Sequence, residues 1–183
     1  WTDVDLVIGL GTRLQSQVMS WGHDDDMKII HIDIDEMQIG RSAPVDVGIH
    51  ARLADALPLL ISAVEDLAEP NPDWADRTAD AKARRAAEYR EKLGPQLEWL
   101  GAIRDALPRD GTFVDELTQI GYVSRFAFPS YHPRSFISTG YQGTLGYGFA
   151  TALGVAHARR DVPVLSISGD GGALFTISEL ATA

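Results

Sequence analysis

Pro163-Val164-Leu165-Ser166-Ile167-Ser168-Gly169-Asp170-Gly171-Gly172-Ala173-Leu174-Phe175 is the stretch from which the rest of the chain is read. Its first half is an apolar, β-branched run, as expected of a buried strand in a parallel sheet. The run then breaks into Gly169-Asp170-Gly171-Gly172, where a single carboxylate is the only side chain. Glycines after a strand let the backbone turn sharply and leave amide N–H groups facing an anion. Thr176-Ile177-Ser178-Glu179 has the spacing of a capping box and predicts a helix start there. A helix N-terminus behind a glycine turn favours phosphate, and an aspartate in the turn suits Mg²⁺, which bridges carboxylate and phosphate oxygens. The pattern predicts a diphosphate–metal site. A plain turn that happens to contain an aspartate satisfies the same four residues, so the neighbouring segments have to decide.

Bulk composition narrows the classes. The chain has 183 residues, 45% of them hydrophobic, enough for a substantial core in one or two domains. No apolar run is long enough to span a bilayer and no N-terminal signal region is visible, so no membrane partner is expected. Absence of cysteine excludes disulfides and thiolate metal sites, and a cytoplasmic setting is the default. A net charge of −10 without a concentrated Lys/Arg patch argues against nucleic-acid binding. The chain starts at Trp1-Thr2-Asp3 without a methionine, so its first residue is not expected to be a natural beginning.

Toward the N-terminus, Asp5-Leu6-Val7-Ile8-Gly9-Leu10-Gly11 predicts a buried strand ending in a Gly-x-Gly turn. Lys28-Ile29-Ile30-His31-Ile32-Asp33-Ile34-Asp35 predicts a second strand. Together they resemble part of a nucleotide-binding α/β layer, with ligand expected at the carboxyl ends of the strands. The third glycine of the dinucleotide fingerprint is replaced by Leu14, so plain turn chemistry explains Gly9 and Gly11 at least as well. His31, inside a strand, is expected to be a packed histidine rather than a ligand.

Leu53, Leu57, Leu60, Val64 and Leu67 recur at helical spacing and predict a helix from Leu53 to Ala68 packed on that sheet. Glu69-Pro70-Asn71-Pro72-Asp73 then has the composition of a linker, with Asn71 as cap and Pro72 opening the next helix. That helix, Trp74 to Leu93, is rich in alanine and charge, and Asp80 with Arg84 and Glu88 with Lys92 are i,i+4 pairs. Its apolar stripe is thin, as in a solvated inter-domain helix.

A second α/β unit begins near Leu97. Leu97, Leu100, Ile103, Arg104 and Leu107 predict a short amphipathic helix, and Phe113-Val114-Asp115 and Ser135-Phe136-Ile137-Ser138 predict strands. Gly143, Gly146, Ala150 and Gly154 fall on one face of the following helix, suited to close approach of a neighbouring helix or a ligand. Tight helix packing alone would also account for Gly154.

Ser138-Thr139-Gly140-Tyr141-Gln142-Gly143-Thr144-Leu145-Gly146, followed by Ser168-Gly169-Asp170-Gly171-Gly172, resembles the start of the diphosphate-binding domain of thiamine diphosphate enzymes, acetolactate synthase-like members above all. Ile8-Gly9-Leu10-Gly11-Thr12-Arg13 and Ile30-His31-Ile32-Asp33-Ile34-Asp35 are similar to the end of that family's central domain. The resemblance implies an α/β fold of two partial parallel-sheet, Rossmann-like layers joined by a linker and helix. Residues 1–69 would be the C-terminal part of the central domain, 70–95 a linker and spacer helix, and 96–183 the N-terminal part of the diphosphate-binding domain. The family's metal motif ends in a pair of asparagines and its cofactor-activating glutamate lies in a preceding domain. Neither has a counterpart here, so the isolated chain is expected to be inactive.

Carried over residue by residue, Asp170 would bind Mg²⁺, and the backbone of Gly171 and Gly172 would meet the diphosphate. Thr118 and Gln119 align with a loop that touches the diphosphate end, although the family's usual pair there is Gln-His. Gly143 would hold the aminopyrimidine through its backbone, and Leu145 would be the hydrophobe that props the cofactor into its bent form. A leucine at a helix start that simply packs is the other reading of Leu145. The family's flavin-binding members have an Asp and an Arg where this chain has Gln15 and Gln17, and a Gly-Asp pair where it has Ala51-Arg52, so FAD is not expected. The resemblance implies a homo-oligomeric enzyme acting on a small 2-keto acid, as decarboxylase or carboligase. A non-catalytic nucleotide-binding module would share the same glycine turns. The turn at Gly169–Gly172 is expected beside Gly143–Leu145, because one cofactor must touch both.

Overall fold

A computed structural model of the chain describes residues 4–23, 26–67, 72–140 and 142–183. The linker expected at Glu69-Pro70-Asn71, the cap assigned to Asn71, the last residue of the helix expected to end at Ala68, and Tyr141 lie outside the described residues. The architecture is α/β, as expected, with two three-stranded parallel sheets. Residues 1–71 and 72–183 form two compact units.

The first unit runs β1 (Leu6–Leu10), α1 (Gln15–Trp21), β2 (Lys28–Asp33), β3 (Val47–His50) and α2 (Leu53–Leu67). Its sheet order is β1-β2-β3, with Ile30 opposite both Ile8 and Val47. The central strand β2 carries the core: Ile29, His31, Ile32 and Asp33 are buried. Strand β1, expected to be buried, is an edge strand whose Leu6, Ile8 and Leu10 stay 45%, 42% and 40% exposed. An edge strand has one neighbour only, and among the described residues these side chains are covered in part. His31 is packed, as expected, with Nε2 2.7 Å from the Thr12 carbonyl. Gly11 has φ 58°, and a Cβ there would lie 3.0 Å from Leu53 Cδ1, so its glycine serves the turn after β1 and leaves room for Leu53 of α2. Helix α2 starts at Leu53 as predicted, but only Leu53, Leu57 and Leu60 of its stripe are half-buried, while Val64 and Leu67 are exposed. Asp46 ties β2 to the segment entering β3. The Ile29 N–H and the Lys28 ammonium, 2.9 and 3.1 Å from its carboxyl, hold that carboxyl below the usual aspartate range.

The second unit runs α3 (Asp73–Ala106), β4 (Thr112–Val114), α4 (Gln119–Ala127), β5 (Phe136–Ile137), α5 (Tyr147–Ala158), β6 (Val164–Ser166) and α6 (Asp170–Thr176), with a final 3-10 turn at Ile177–Ala181. The two helices expected on either side of Leu93 are continuous but broken there, with Leu93 at φ −130° and Pro95 just beyond. Proline has no N–H to donate and its ring crowds the carbonyl four residues back, which explains the kink. Before the kink, Glu88 binds Lys92 and Arg85 at 2.9 and 2.7 Å, whereas Asp80 and Arg84 form no ion pair. The Lys92 and Arg85 charges hold the Glu88 carboxyl below its ordinary range. Tyr89 stacks obliquely on Phe126 of α4, ring centres 4.9 Å apart, so this end of the helix packs within its unit.

The sheet order is β5-β4-β6, all parallel. The central strand is therefore the short β4, not the long apolar run at 163–168. Phe113 is fully buried and meets Phe128 at 4.5 Å and Phe136 at 5.9 Å, while Leu100, Leu107 and Val123 close the same core. Strand β6, expected to be buried, is an edge strand and half-buried. A helix not expected, α6, begins at Asp170, with Asp170, Gly171 and Gly172 in its first turn; at the predicted start a 3-10 turn begins at Ile177, with Thr176 ahead of it but making no side-chain cap. Gly143 and Gly146 precede α5 with φ 63° and 83°, so they serve the loop rather than a helix face. Gly154 is on α5 but faces open space.

Candidate functional site

The site is built on the segment just after β4. The carboxyl end of a central parallel strand is where α/β sheets place ligands, and here Asp115-Glu116-Leu117-Thr118 occupies it. Successive extended residues point to opposite sides, and the two acids part accordingly. Asp115, fully buried, accepts from Ser124 Oγ at 3.2 Å and lies 3.5 Å from Arg125 Nε. The Arg125 guanidinium in turn donates to Thr139 Oγ1. Glu116, 1% exposed, accepts from the Gly146 N–H at 2.7 Å and from the Gly148 N–H at 3.2 Å.

The residues expected in the site gather around this segment. Thr118 caps α4, accepting from the Gly121 N–H at 2.9 Å, and Gln119 is the first residue of that helix. A Cβ at Gly169 would lie 3.5 Å from Thr118 Cγ2. Thr118, Gln119, Ser166, Ser168 and Gly169 line a cleft of about 580 Å³, with Trp99 of α3 on its wall. The Ser166 Oγ is buried without a hydrogen-bond partner among the described residues. A Cβ at Gly143 would come 2.5 Å from Leu117 Cδ1, so the loop before α5 rests on the segment after β4. Its far end rests on α6, because a Cβ at Gly146 would lie 3.0 Å from Phe175 Cβ and 3.1 Å from Thr176 Cγ2.

At the start of α6 the three residues of the first turn differ sharply. Asp170 is exposed, and its carboxylate has no hydrogen bond or ion pair among the described residues. Gly171 has nothing within 4 Å of where a Cβ would stand. Gly172 is buried, and a Cβ there would overlap the Glu116 carboxylate. The first N–H groups of a helix have no partner within it. Leu145 stands apart from these contacts with its side chain 53% exposed.

A shared cation fits this donor set better than a caged one. No group of three or more His, Cys, Asp or Glu capable of holding a metal occurs among the described residues. Mg²⁺ is commonly held by one or two carboxylates plus phosphate oxygens, and one free carboxylate beside unpartnered backbone N–H groups suits that arrangement. Glu116 escaped the sequence reading. Its only signal is an acid directly after a short apolar strand, and periodicity carries no information on whether such an acid turns inward.

Two family models match the chain. The thiamine pyrophosphate enzyme central domain matches residues 1–60, and the C-terminal TPP binding domain of the same enzymes matches residues 118–183. The chain is 30% identical over 99% of its length to the acetolactate synthase isozyme 1 large subunit of Escherichia coli. It is 32% identical over 99% of its length to a probable 2-ketoarginine decarboxylase of Pseudomonas aeruginosa. A probable acetolactate synthase large subunit of Methanocaldococcus jannaschii is 31% identical, again over 99% of the chain. The chain spans about a third of the length of these relatives, 33%, 33% and 32% respectively. With a central-domain segment followed in family order by a cofactor-binding segment, the chain belongs to the thiamine pyrophosphate-dependent enzymes.

Proposed function

We propose that the full-length protein is a thiamine diphosphate- and Mg²⁺-dependent enzyme that decarboxylates a small 2-keto acid, with carboligation to a second carbonyl in the manner of an acetolactate synthase. The observation that carries this is the free Asp170 carboxylate on the first turn of α6, at the carboxyl end of β6 and beside the open Gly171. Asp170 would supply a carboxylate oxygen to Mg²⁺, and the N–H groups of Gly171 and Gly172 would meet the diphosphate. Thr118 and Gln119 would wall the diphosphate end from α4, and the Gly143 backbone would hold the aminopyrimidine. The exposed Leu145 side chain would lie under the cofactor and fix its shape, a positioning effect of the kind that lowers barriers by several kcal/mol. When bound, thiamine diphosphate supplies the nucleophilic carbon and the electron sink that 2-keto acid cleavage requires.

The relatives support the substrate class, since one is a synthase that forms acetolactate and another decarboxylates 2-ketoarginine by name. The same reading has a cytoplasmic homo-oligomer without FAD, and an isolated 183-residue chain without turnover. No helix among the described residues is long and apolar enough to cross a membrane.

The test is release of CO₂ from a panel of 2-keto acids by the full-length enzyme, with thiamine diphosphate and Mg²⁺ added singly and together. Turnover is expected only with both. A protein that binds nucleotides without metal and releases no CO₂ from any 2-keto acid would instead be the non-catalytic module.

A further inference from the structure

Glu116 is almost wholly buried, and its carboxylate lies against three separate elements of the second unit. Burying a carboxylate is unfavourable unless hydrogen bonds satisfy it. Here the partners are backbone N–H groups, one from Gly146 at 2.7 Å and one from Gly148 at 3.2 Å, at the entry to α5. On its other side the carboxylate meets Gly172 in the first turn of α6, where any side chain would overlap it. Gly148 is closed in as well, since a Cβ there would lie 2.6 Å from Ser168 Oγ, 2.8 Å from the Ile167 carbonyl oxygen and 2.9 Å from Glu116 Oε2. Gly172 is thus required for the Glu116 side chain to lie where it does, and Gly148 for Glu116 together with the segment after β6. Neither is needed for a turn, since neither has a positive φ.

Asp115 does the complementary work. Its contact with Arg125, and that of Arg125 with Thr139, hold the beginning of the segment that Glu116 holds at Gly146 and Gly148. The loop from Thr139 to Gly146 therefore hangs between two adjacent acids on the central strand's carboxyl end.

We propose that Glu116 is a positioning residue for the cofactor: its carboxylate sets the loop before α5 at a fixed distance from the first turn of α6, so that Gly143, Asp170 and Gly171 face one ligand. It touches neither metal nor diphosphate and acts through backbone N–H groups. The inference rests on the thiamine diphosphate reading above. It predicts a loss of cofactor affinity separate from any loss of stability.

The experiment is calorimetric titration of the full-length enzyme with thiamine diphosphate at saturating Mg²⁺, for wild type, Glu116→Gln, Glu116→Ala and a core control, Phe113→Leu, each with its melting temperature. Glu116→Gln keeps one acceptor oxygen and sets an amide N–H₂ against the other N–H, so it is expected to raise the Kd about tenfold, and Glu116→Ala about a hundredfold. KM for the 2-keto acid at saturating cofactor should stay within about twofold of wild type. Phe113→Leu should lower the melting temperature and leave the Kd unchanged. Because Glu116→Ala leaves two buried N–H groups without an acceptor and risks the fold, Glu116→Gln decides the matter. A folded Glu116→Gln with wild-type Kd, or a Phe113→Leu that weakens binding as much, would overturn the proposal. If wild type itself fails to bind the cofactor, it is the functional reading above that falls.

Discussion

Asp170→Ala in the full-length enzyme is expected to abolish Mg²⁺-dependent binding of thiamine diphosphate. At the start of α6 the second unit offers the diphosphate backbone N–H groups and, in the same turn, the unengaged Asp170 carboxylate for its cation. A diphosphate without its cation brings its full negative charge to a chain whose net charge is already −10. Helix N-termini favour anions by only about 0.3–1 kcal/mol each at exposed positions, too little to replace a divalent ion. Calorimetry with and without Mg²⁺ reads the effect, and the loss should exceed a hundredfold, about 2.7 kcal/mol. Because the Asp170 side chain is exposed and makes no hydrogen bond or ion pair among the described residues, the variant should keep the wild-type melting temperature. Tight, metal-independent binding by Asp170→Ala would remove Asp170 from the site.

Gly121→Ala should be the most damaging small substitution for folding. Gly121 is buried in the first turns of α4, and a Cβ there would overlap the backbone carbonyl of Glu116. That carbonyl already accepts the Thr118 N–H at 2.8 Å, and Thr118 in turn caps α4 through the Gly121 N–H. A flexible side-chain end could swing away, but this peptide group cannot move without undoing the cap and shifting the Glu116 side chain. Overpacking of a rigid site costs about 1–3 kcal/mol and occasionally more, and this substitution belongs at the top of that range. Thermal or denaturant unfolding of the full-length enzyme gives the figure. A change within about 0.5 kcal/mol, the range of an ordinary surface substitution, would mean that the start of α4 does not pack on the Glu116 carbonyl.

Much of the fold was legible from residues alone, for reasons that differ by element. The apolar runs of β1 and β2 and the stripe that starts α2 at Leu53 were plain, because apolar periodicity is the strongest local signal. The spacing ends a helix at Leu93, which is the kink ahead of Pro95. Depth is less legible: the runs at 5–11 and 163–168 are as apolar as a central strand, yet in this chain, about a third of the length of its relatives, β1 and β6 each have one neighbouring strand. Strand β3 and helix α1 were not foreseen, one being four residues with a glycine and the other opening on Gln-Ser-Gln.

The capping-box spacing at Thr176 marks the start of the 3-10 turn at Ile177–Ala181, although Thr176 makes no side-chain cap, and it does not mark the start of the α-helix before it. Helix α6 instead starts at Asp170 despite its glycines, which are poor helix formers. Gly172 is there because Glu116 needs the space, and no local pattern could show that. For Thr118, Gln119, Gly143, Leu145 and Asp170 to Gly172, the signal in the sequence is the family resemblance and not a local pattern. Gly143 and Gly172 do lie against Leu117 and Glu116, and Thr118 against Gly169, while Leu145 makes its case only by exposure.

In the proposed enzyme the first turn of α6, facing the loop before α5, would hold a metal-bound diphosphate. A crystal structure of the full-length enzyme with thiamine diphosphate and Mg²⁺ tests it most directly. An octahedral ion is expected about 2.0–2.1 Å from an Asp170 carboxylate oxygen, with diphosphate oxygens among its other ligands and Gly171 N–H on the diphosphate. A diphosphate bound elsewhere, or an ion that leaves Asp170 unligated, would contradict it.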